Sequence, residues 1–262
     1  MNPSSPAILV VSCDAYQDLW HPFFECLFKY WPDCPFPVHL GSNHQSYPDA
    51  RVLGLRIGPD VDYSSNLERM LRRLNHEWVI LWIEDRLLSG TVDTSRLMET
   101  VSQAQTQGAG YLKLLSEYPV AYSDENASLI GELPKGIRYR VSITVGLWRK
   151  HILLELLRPG ETAWELERKG SLRSNHMDAK FFGMNVTTLA WPVIQEVHAV
   201  VKRKWNRTAV AFLREEGFGE LIERRELLSR WSQWYCRVYA ARLRLFIKLR
   251  RHWWHPRAAL VN

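Results

Sequence analysis

A chain of 262 residues with 46% apolar and 24% charged side chains has room for one α/β domain, its core and an appendage. Its four cysteines (Cys13, Cys26, Cys34, Cys236) show no CxxC or Cys/His ligand spacing, which excludes a structural zinc and a disulfide framework and suits a reducing compartment. No apolar run reaches the roughly 18 residues needed to cross a bilayer, and Ala7 to Val11 is too short for a signal peptide, so a cytoplasmic protein is expected.

Ala7 to Asp14 opens the chain as a short apolar, β-rich run, a buried parallel strand whose carboxyl end falls at Ser12–Asp14. A helix over Leu19–Tyr30 stops before Trp31-Pro32. Phe36–Asn43 and Val52–Ile57 read as the second and third strands. Ser65–Leu74 is an amphipathic helix with Leu67, Met70, Leu71 and Leu74 on one face. Trp78–Asp85 is the most apolar strand. Next come a helix over Val92–Gln107, capped by Asp93 or Thr94, and a strand over Tyr111–Leu115. After a polar, loop-rich stretch (Ser116–Gly136), Arg138–Val145 alternates like a strand. Leu147–Leu157 and Glu161–Arg168 read as helices separated by Pro159-Gly160. Alternating strands and helices with short connections predict a mostly parallel sheet covered on both faces.

In such a sheet, ligands bind outside the carboxyl ends of the strands. Ser12, Asp14, Ser42, Asn43, Glu84 and Asp85 all fall there. Glu84-Asp85 has two readings: the first wet residues of an emerging strand, or a cation site, because adjacent carboxylates repel unless a positive charge joins them. In Gly160–Glu167, Trp164 could stack on a sugar while Glu165 or Glu167 takes a proton; equally, the acids could serve the helix start and Trp164 the core. His198 could complete a metal shell and Lys202 and Lys204 could hold a diphosphate, or all three belong to a solvated basic segment.

Ile8–Trp20, Phe23-Phe24, Tyr30–Asp33, Trp82–Leu88, Leu147–Lys150, Pro159–Glu167, Gly170-Ser171 and Val201–Trp205, in this order, resemble bacterial GT-A-type glycosyltransferase-like proteins from surface-polysaccharide (capsule, lipopolysaccharide, exopolysaccharide) clusters. The resemblance spans about residues 7 to 225. It implies a GT-A-like Rossmann-type sheet over residues 1–224 and a nucleotide-diphosphate sugar donor. It also implies a glycan or lipid-linked acceptor and a divalent metal, Mn or Mg. Asp85, with Glu84 and His198, would hold the metal; Ser12, Asp14, Tyr16, Ser42, Asn43, Lys202 and Lys204 would line the donor site. Trp164 would meet the acceptor, with Glu165 or Glu167 as the base of an inverting transfer. Ile83 stands where an Asp-x-Asp element carries its first acid, and Arg203 where the family has Gly between two lysines.

The formal net charge of +6 is lopsided. Residues 225–262 hold nine Lys/Arg against one acid, Glu226, leaving a net of −2 on the first 224. In this tail Leu227, Trp231, Trp234, Tyr235, Val238, Leu245, Phe246, Leu249 and Trp253 recur at helical spacing. That makes a basic amphipathic helix suited to an anionic membrane surface, or one docked back on the body. The near-neutral body offers nucleic acid no basic groove. A non-catalytic, membrane-associated scaffold of the same fold, serving a glycan-assembly complex, is the competing function. A methyltransferase is disfavoured by Ser12-Cys13-Asp14-Ala15, where a Gly-rich loop would be needed.

Overall fold

The computed structural model describes residues 5–115, 128–185 and 192–250. The strands are β1 (Ala7–Val11), β2 (Val38–Ser42), β3 (Val52–Arg56), β4 (Trp78–Ile83), β5 (Arg86–Leu88), β6 (Ala109–Lys113), β7 (Ile130–Glu132), β8 (Gly146–Arg149), β9 (Lys180–Met184), β10 (Glu196–His198), β11 (Val200–Val201) and β12 (Lys204–Trp205). The helices are α1 (Trp20–Tyr30), α2 (Tyr63–Arg73), α3 (Thr94–Thr106), α4 (Lys150–Leu156), α5 (Ala163–Ser174), α6 (Ala209–Glu215) and α7 (Arg230–Arg250). Eight strands form one sheet in the order β3-β2-β1-β4-β8-β6-β9-β7, in which β3, β2, β1 and β4 are mutually parallel and β8 and β7 run against their neighbours. This is the mostly parallel α/β sheet expected from the alternation of elements.

Strand alternation divides the core into two layers. Ile8, Val10, Ile80, Trp82, Leu112 and Leu147 face α1 and α3, where Phe23, Leu27, Leu97 and Val101 pack against them. Leu9, Val11, Val79, Leu81, Tyr111 and Trp148 face α2, α4 and α5, with Leu67, Met70, Leu153 and Leu166. The helix starts carry local caps: Asp62 accepts from the Ser65 amide at 2.8 Å, and Asp93, rather than Thr94, accepts from the Arg96 amide at 2.9 Å.

One expected strand is absent. Arg138–Val145 is irregular, and the strand in this part of the chain is Gly146–Arg149. Side chains take the backbone amides that a ladder would need: Val141 N–H donates to Ser171 Oγ (3.0 Å) and Ile143 N–H to Glu167 Oε1 (3.0 Å). Tyr139 also sits in the left-handed region, at φ 57°, which breaks an extended run. Leu147 and Trp148 therefore lie between β4 and β6, and the helix expected from Leu147 starts at Lys150. The short strands β5, β7 and β9 to β12 escaped the sequence reading.

The charge boundary at residue 225 is not a packing boundary. Trp205 N–H donates to Glu226 O (2.8 Å), Leu228 N–H donates to Trp205 O (2.9 Å), and Arg225 is bound to Asp18. The basic helix begins at Arg230; Trp253 and Trp254 lie outside the described residues.

His39, on β2, has both ring nitrogens buried without a hydrogen-bond partner, and burial, aided by nearby His76, pulls its pKa from 6.5 to about 4. Between these values the unfolded chain binds a proton that the fold refuses, so stability falls as pH drops through this window. Tm should decline from pH 6.5 to 4, and His39→Leu should flatten that part of a calorimetric pH series. An unchanged slope would mean that His39 is not its source.

Candidate functional site

The parallel pairing of β1 with β2 and β4 brings Ser12, Ser42 and Glu84 to one edge of the sheet. There the chain turns at Glu84-Asp85 and leaves along β5. The turn is held by Trp82 Nε1, which donates to Arg86 O at 2.8 Å. It also separates the two acids. Glu84 is 5% exposed; burial first, then the Asp85 charge, push its carboxyl well above the usual carboxylate range, partly offset by the Ser12 hydroxyl and Arg225. Asp85 instead faces His198, with Oδ2 3.3 Å from Nε2.

His198 arrives from 113 residues downstream by backbone pairing. β10 runs antiparallel to β5, with His198 opposite Arg86; the Ala199 amide donates to Asp85 O at 2.7 Å, and an Arg86–Glu196 ion pair of 2.5 Å closes the ribbon. A 3.3 Å separation also fits two ligands sharing one cation at about 2.0–2.2 Å each. Among the described residues no three His, Cys, Asp or Glu side chains converge to hold a metal ion; Asp85 and His198 are a pair.

The expected donor-site residues divide by what they touch. The Asp14 carboxylate accepts from the amides of Asn43 (3.0 Å) and His44 (3.0 Å), while Asn43 Oδ1 accepts from the Asp14 amide (3.0 Å) and Nδ2 donates to Gly58 O (3.2 Å). Ser42 Oγ donates to Gln45 O at 2.5 Å. These three residues brace the wall of the crevice and have their polar atoms engaged. Ser12 Oγ accepts from Trp20 Nε1 (2.7 Å) and lies against Glu84. Tyr16 is half-buried, with Arg225 4.7 Å over its ring. Lys202 is exposed at the tip of the β11–β12 hairpin, and Lys204 is spent on Glu226 at 2.6 Å.

Helix α5 separates the two candidate bases. Glu165 closes a capping box: its Oε2 accepts from the Thr162 amide (3.1 Å) and hydroxyl (3.0 Å), and its Oε1 from Lys169 (3.0 Å). These contacts, the Thr162 amide foremost, hold its pKa near about 2, too acidic to accept a proton readily. Glu167 is half-buried and anchored by one oxygen only; Oε1 accepts from Ser142 Oγ (2.8 Å) and the Ile143 amide (3.0 Å), while Oε2 has no hydrogen bond among the described residues. Trp164 is 63% exposed, its indole available to a ligand.

Three residues absent from the sequence reading connect these groups. Tyr63, the first residue of α2, has a buried hydroxyl with no hydrogen-bond partner among the described residues; burial first, then the charges of Glu167, Glu84 and Asp85, raise its pKa. Nothing in the local pattern marks it, because a tyrosine at a helix start has no motif. Tyr139, whose pKa burial pushes to about 12, hydrogen-bonds Tyr239 of α7 at 3.0 Å and lies close enough to Glu167 to sense its charge. Arg225, which the charge count assigned to the tail, pairs with Asp18 and lies over the Tyr16 ring, and its charge eases the cost of Glu84.

No family model matches this chain, and no curated protein is similar to it in sequence. Among solved structures it is similar to S. aureus TarS 1-349, at 12% identity and a TM-score of 0.43, over 69% of this chain and 60% of that one. The same protein in complex with UDP-GlcNAc aligns at 12% identity and a TM-score of 0.44, over 68% and 58%. A197 from STIV aligns at 10% identity and a TM-score of 0.41, over 76% and 87%. This chain thus spans less than two thirds of the TarS chain. The likenesses concern overall α/β architecture.

Tyr63→Phe removes a buried hydroxyl that makes no hydrogen bond. It should raise stability by about 1 kcal/mol in urea unfolding; a loss would show that the hydroxyl is satisfied in the native protein.

Proposed function

We propose that the chain is a nucleotide-sugar-dependent glycosyltransferase that moves a sugar from a nucleotide-diphosphate donor to a glycan or lipid-linked acceptor in surface-polysaccharide synthesis. The observation that carries this reading is the Asp85–His198 pair at the carboxyl edge of the sheet, beside a Glu167 whose second oxygen has no hydrogen bond among the described residues but whose charge reaches Tyr63 as theirs does. The ordered sequence blocks that resemble GT-A-type enzymes support it.

In the mechanism, Asp85 and His198 would hold a Mn or Mg ion. When bound, that cation neutralises charge developing on the leaving diphosphate. Burial, which pushes the Glu84 carboxyl well above the usual carboxylate range, opposes a second negative charge beside Asp85. Glu167 Oε2 takes the acceptor hydroxyl proton as the oxygen attacks the anomeric carbon and the diphosphate leaves from the opposite face, an inverting displacement. Ser142 and the Ile143 amide fix the carboxylate through its other oxygen, so it is oriented before the acceptor arrives. Trp164 offers a face on which an acceptor sugar stacks.

Mutations separate these roles. Asp85→Ala should abolish manganese-dependent stabilisation in a thermal-shift screen of UDP-, GDP-, CMP- and dTDP-sugars, and transfer with it. Glu167→Gln should lower kcat about 10²- to 10⁴-fold with donor KM kept, whereas Glu165→Gln should stay within a few-fold. Full activity of Glu167→Gln would remove it as the base. If the wild-type chain bound no nucleotide but still bound liposomes, a scaffold role would replace the enzymatic one.

The C-terminal helix favours work at a membrane. Among the described residues no helix is long and apolar enough to cross a bilayer. α7 contains six Lys/Arg and no acid over 21 residues. Trp231 and Trp234, stacked at 5.0 Å, are 71% and 52% exposed, and Tyr235 and Leu245 are exposed as well. Such a helix fits the interface of an anionic membrane, and its Tyr239 is joined to the body through Tyr139. Trp231→Ala with Trp234→Ala should weaken sedimentation with phosphatidylglycerol vesicles about tenfold or more while leaving Tm unchanged. Equal binding would reject the membrane role.

A further inference from the structure

Strands β11 and β12 pair Val200 with Trp205 and Val201 with Lys204, so only Lys202 and Arg203 turn the corner. A two-residue hairpin that matches the right-handed twist of its strands needs positive φ at both positions, hence the preference for Asn-Gly. Here φ is 50° at Lys202 and 66° at Arg203. A Cβ is disfavoured in this region, and both residues carry long side chains. Asn-Gly would relieve the turn; the chain keeps two cations instead. Backbone outliers of this kind gather where a site needs them.

The hairpin is held firmly. Trp205 is fully buried and its Nε1 donates to Leu221 O at 3.2 Å, while Arg225 Nη1 reaches Arg203 O at 3.5 Å. Arg225 is itself fixed by Asp18, which accepts from its Nε (2.7 Å) and Nη2 (2.5 Å). Tyr16 bears Arg225 4.7 Å over its ring, and its hydroxyl senses the charges of Arg203 and Glu84. Arg225 thus ties the Arg203 end of the hairpin to the Tyr16–Asp18 turn that follows β1, at the carboxyl edge of the sheet.

Of the neighbouring cations, Lys204 is paired with Glu226 and Arg225 with Asp18, while Lys202 is exposed at the tip of the turn. Arg203 has no carboxylate partner among the described residues. A guanidinium fork matches the oxygens of phosphate bidentately, which a lysine does not. We propose that Arg203, presented by a strained two-residue turn, binds the diphosphate of the ligand at the crevice mouth, in the role expected of Lys202 and Lys204. The source of that diphosphate rests on the glycosyltransferase reading; the anion site does not.

Calorimetric titration with manganese pyrophosphate and with UDP, GDP, CDP and dTDP, beside thermal unfolding of the ligand-free protein, tests this. Lys202→Asn should raise Tm with affinity retained. Arg203→Gly should raise Tm by about 3–6 °C and weaken pyrophosphate and nucleotide binding about tenfold or more. Arg203→Gly binding like wild type, or a lowered Tm, would overturn the assignment, as would a wild-type chain that binds neither pyrophosphate nor nucleotide. Arg203-dependent binding of pyrophosphate with no binding of any nucleotide would sink the glycosyltransferase reading and leave this site standing.

Discussion

Two adjacent carboxylates at the end of a buried strand repel each other and lose hydration together, and the rest of the site is arranged around that conflict. The turn after β4 resolves it by division. Glu84 goes inward, where desolvation pushes its carboxyl well above the usual carboxylate range, beside the Ser12 hydroxyl and within the field of Arg225. Asp85 goes to His198 and stays beside a potential cation. Each partner reaches this point by a different route. Ser12 comes from the parallel register of β1, His198 from the antiparallel ribbon β5–β10, and Arg225 from a segment tied to Trp205.

Helix α5 shows how one short acidic stretch serves two ends. Its first acid satisfies the free amides of the helix start, as a capping box requires, and is locked into a low pKa by that work. The second, a half-turn on, faces the irregular Arg138–Val145 segment and anchors it by one oxygen. The same bond that gives Glu167 an orientation removes the amides from a would-be strand. Order in the site and disorder in the sheet thus share one cause.

Helix α7 meets the body at described points along its first half. Gln233 accepts from the Arg207 amide, Tyr239 hydrogen-bonds Tyr139, and Arg138 lies 5.8 Å over the Tyr239 ring. The Trp231–Trp234 stack is exposed.

Elements whose pattern is local were legible from residues alone. The apolar runs that became β1, β2, β3 and β4, the amphipathic α2 and the cap at Asp93 obey hydrophobic period and side-chain reach, which extend over only a few residues. So was the gathering of Ser12, Ser42 and Glu84 at one edge of the sheet, because parallel strands align their carboxyl ends. The identity of the useful groups was decided by tertiary structure. Glu165 and Glu167 look alike in sequence, and only Thr162 with Lys169 on one side and Ser142 with Ile143 on the other tell them apart. Tyr63, Arg225 and the His198–Asp85 contact depend on neighbours more than a dozen residues distant. A sequence pattern carries period and propensity; burial, charge proximity and the partner of each oxygen exist only once the chain has closed on itself.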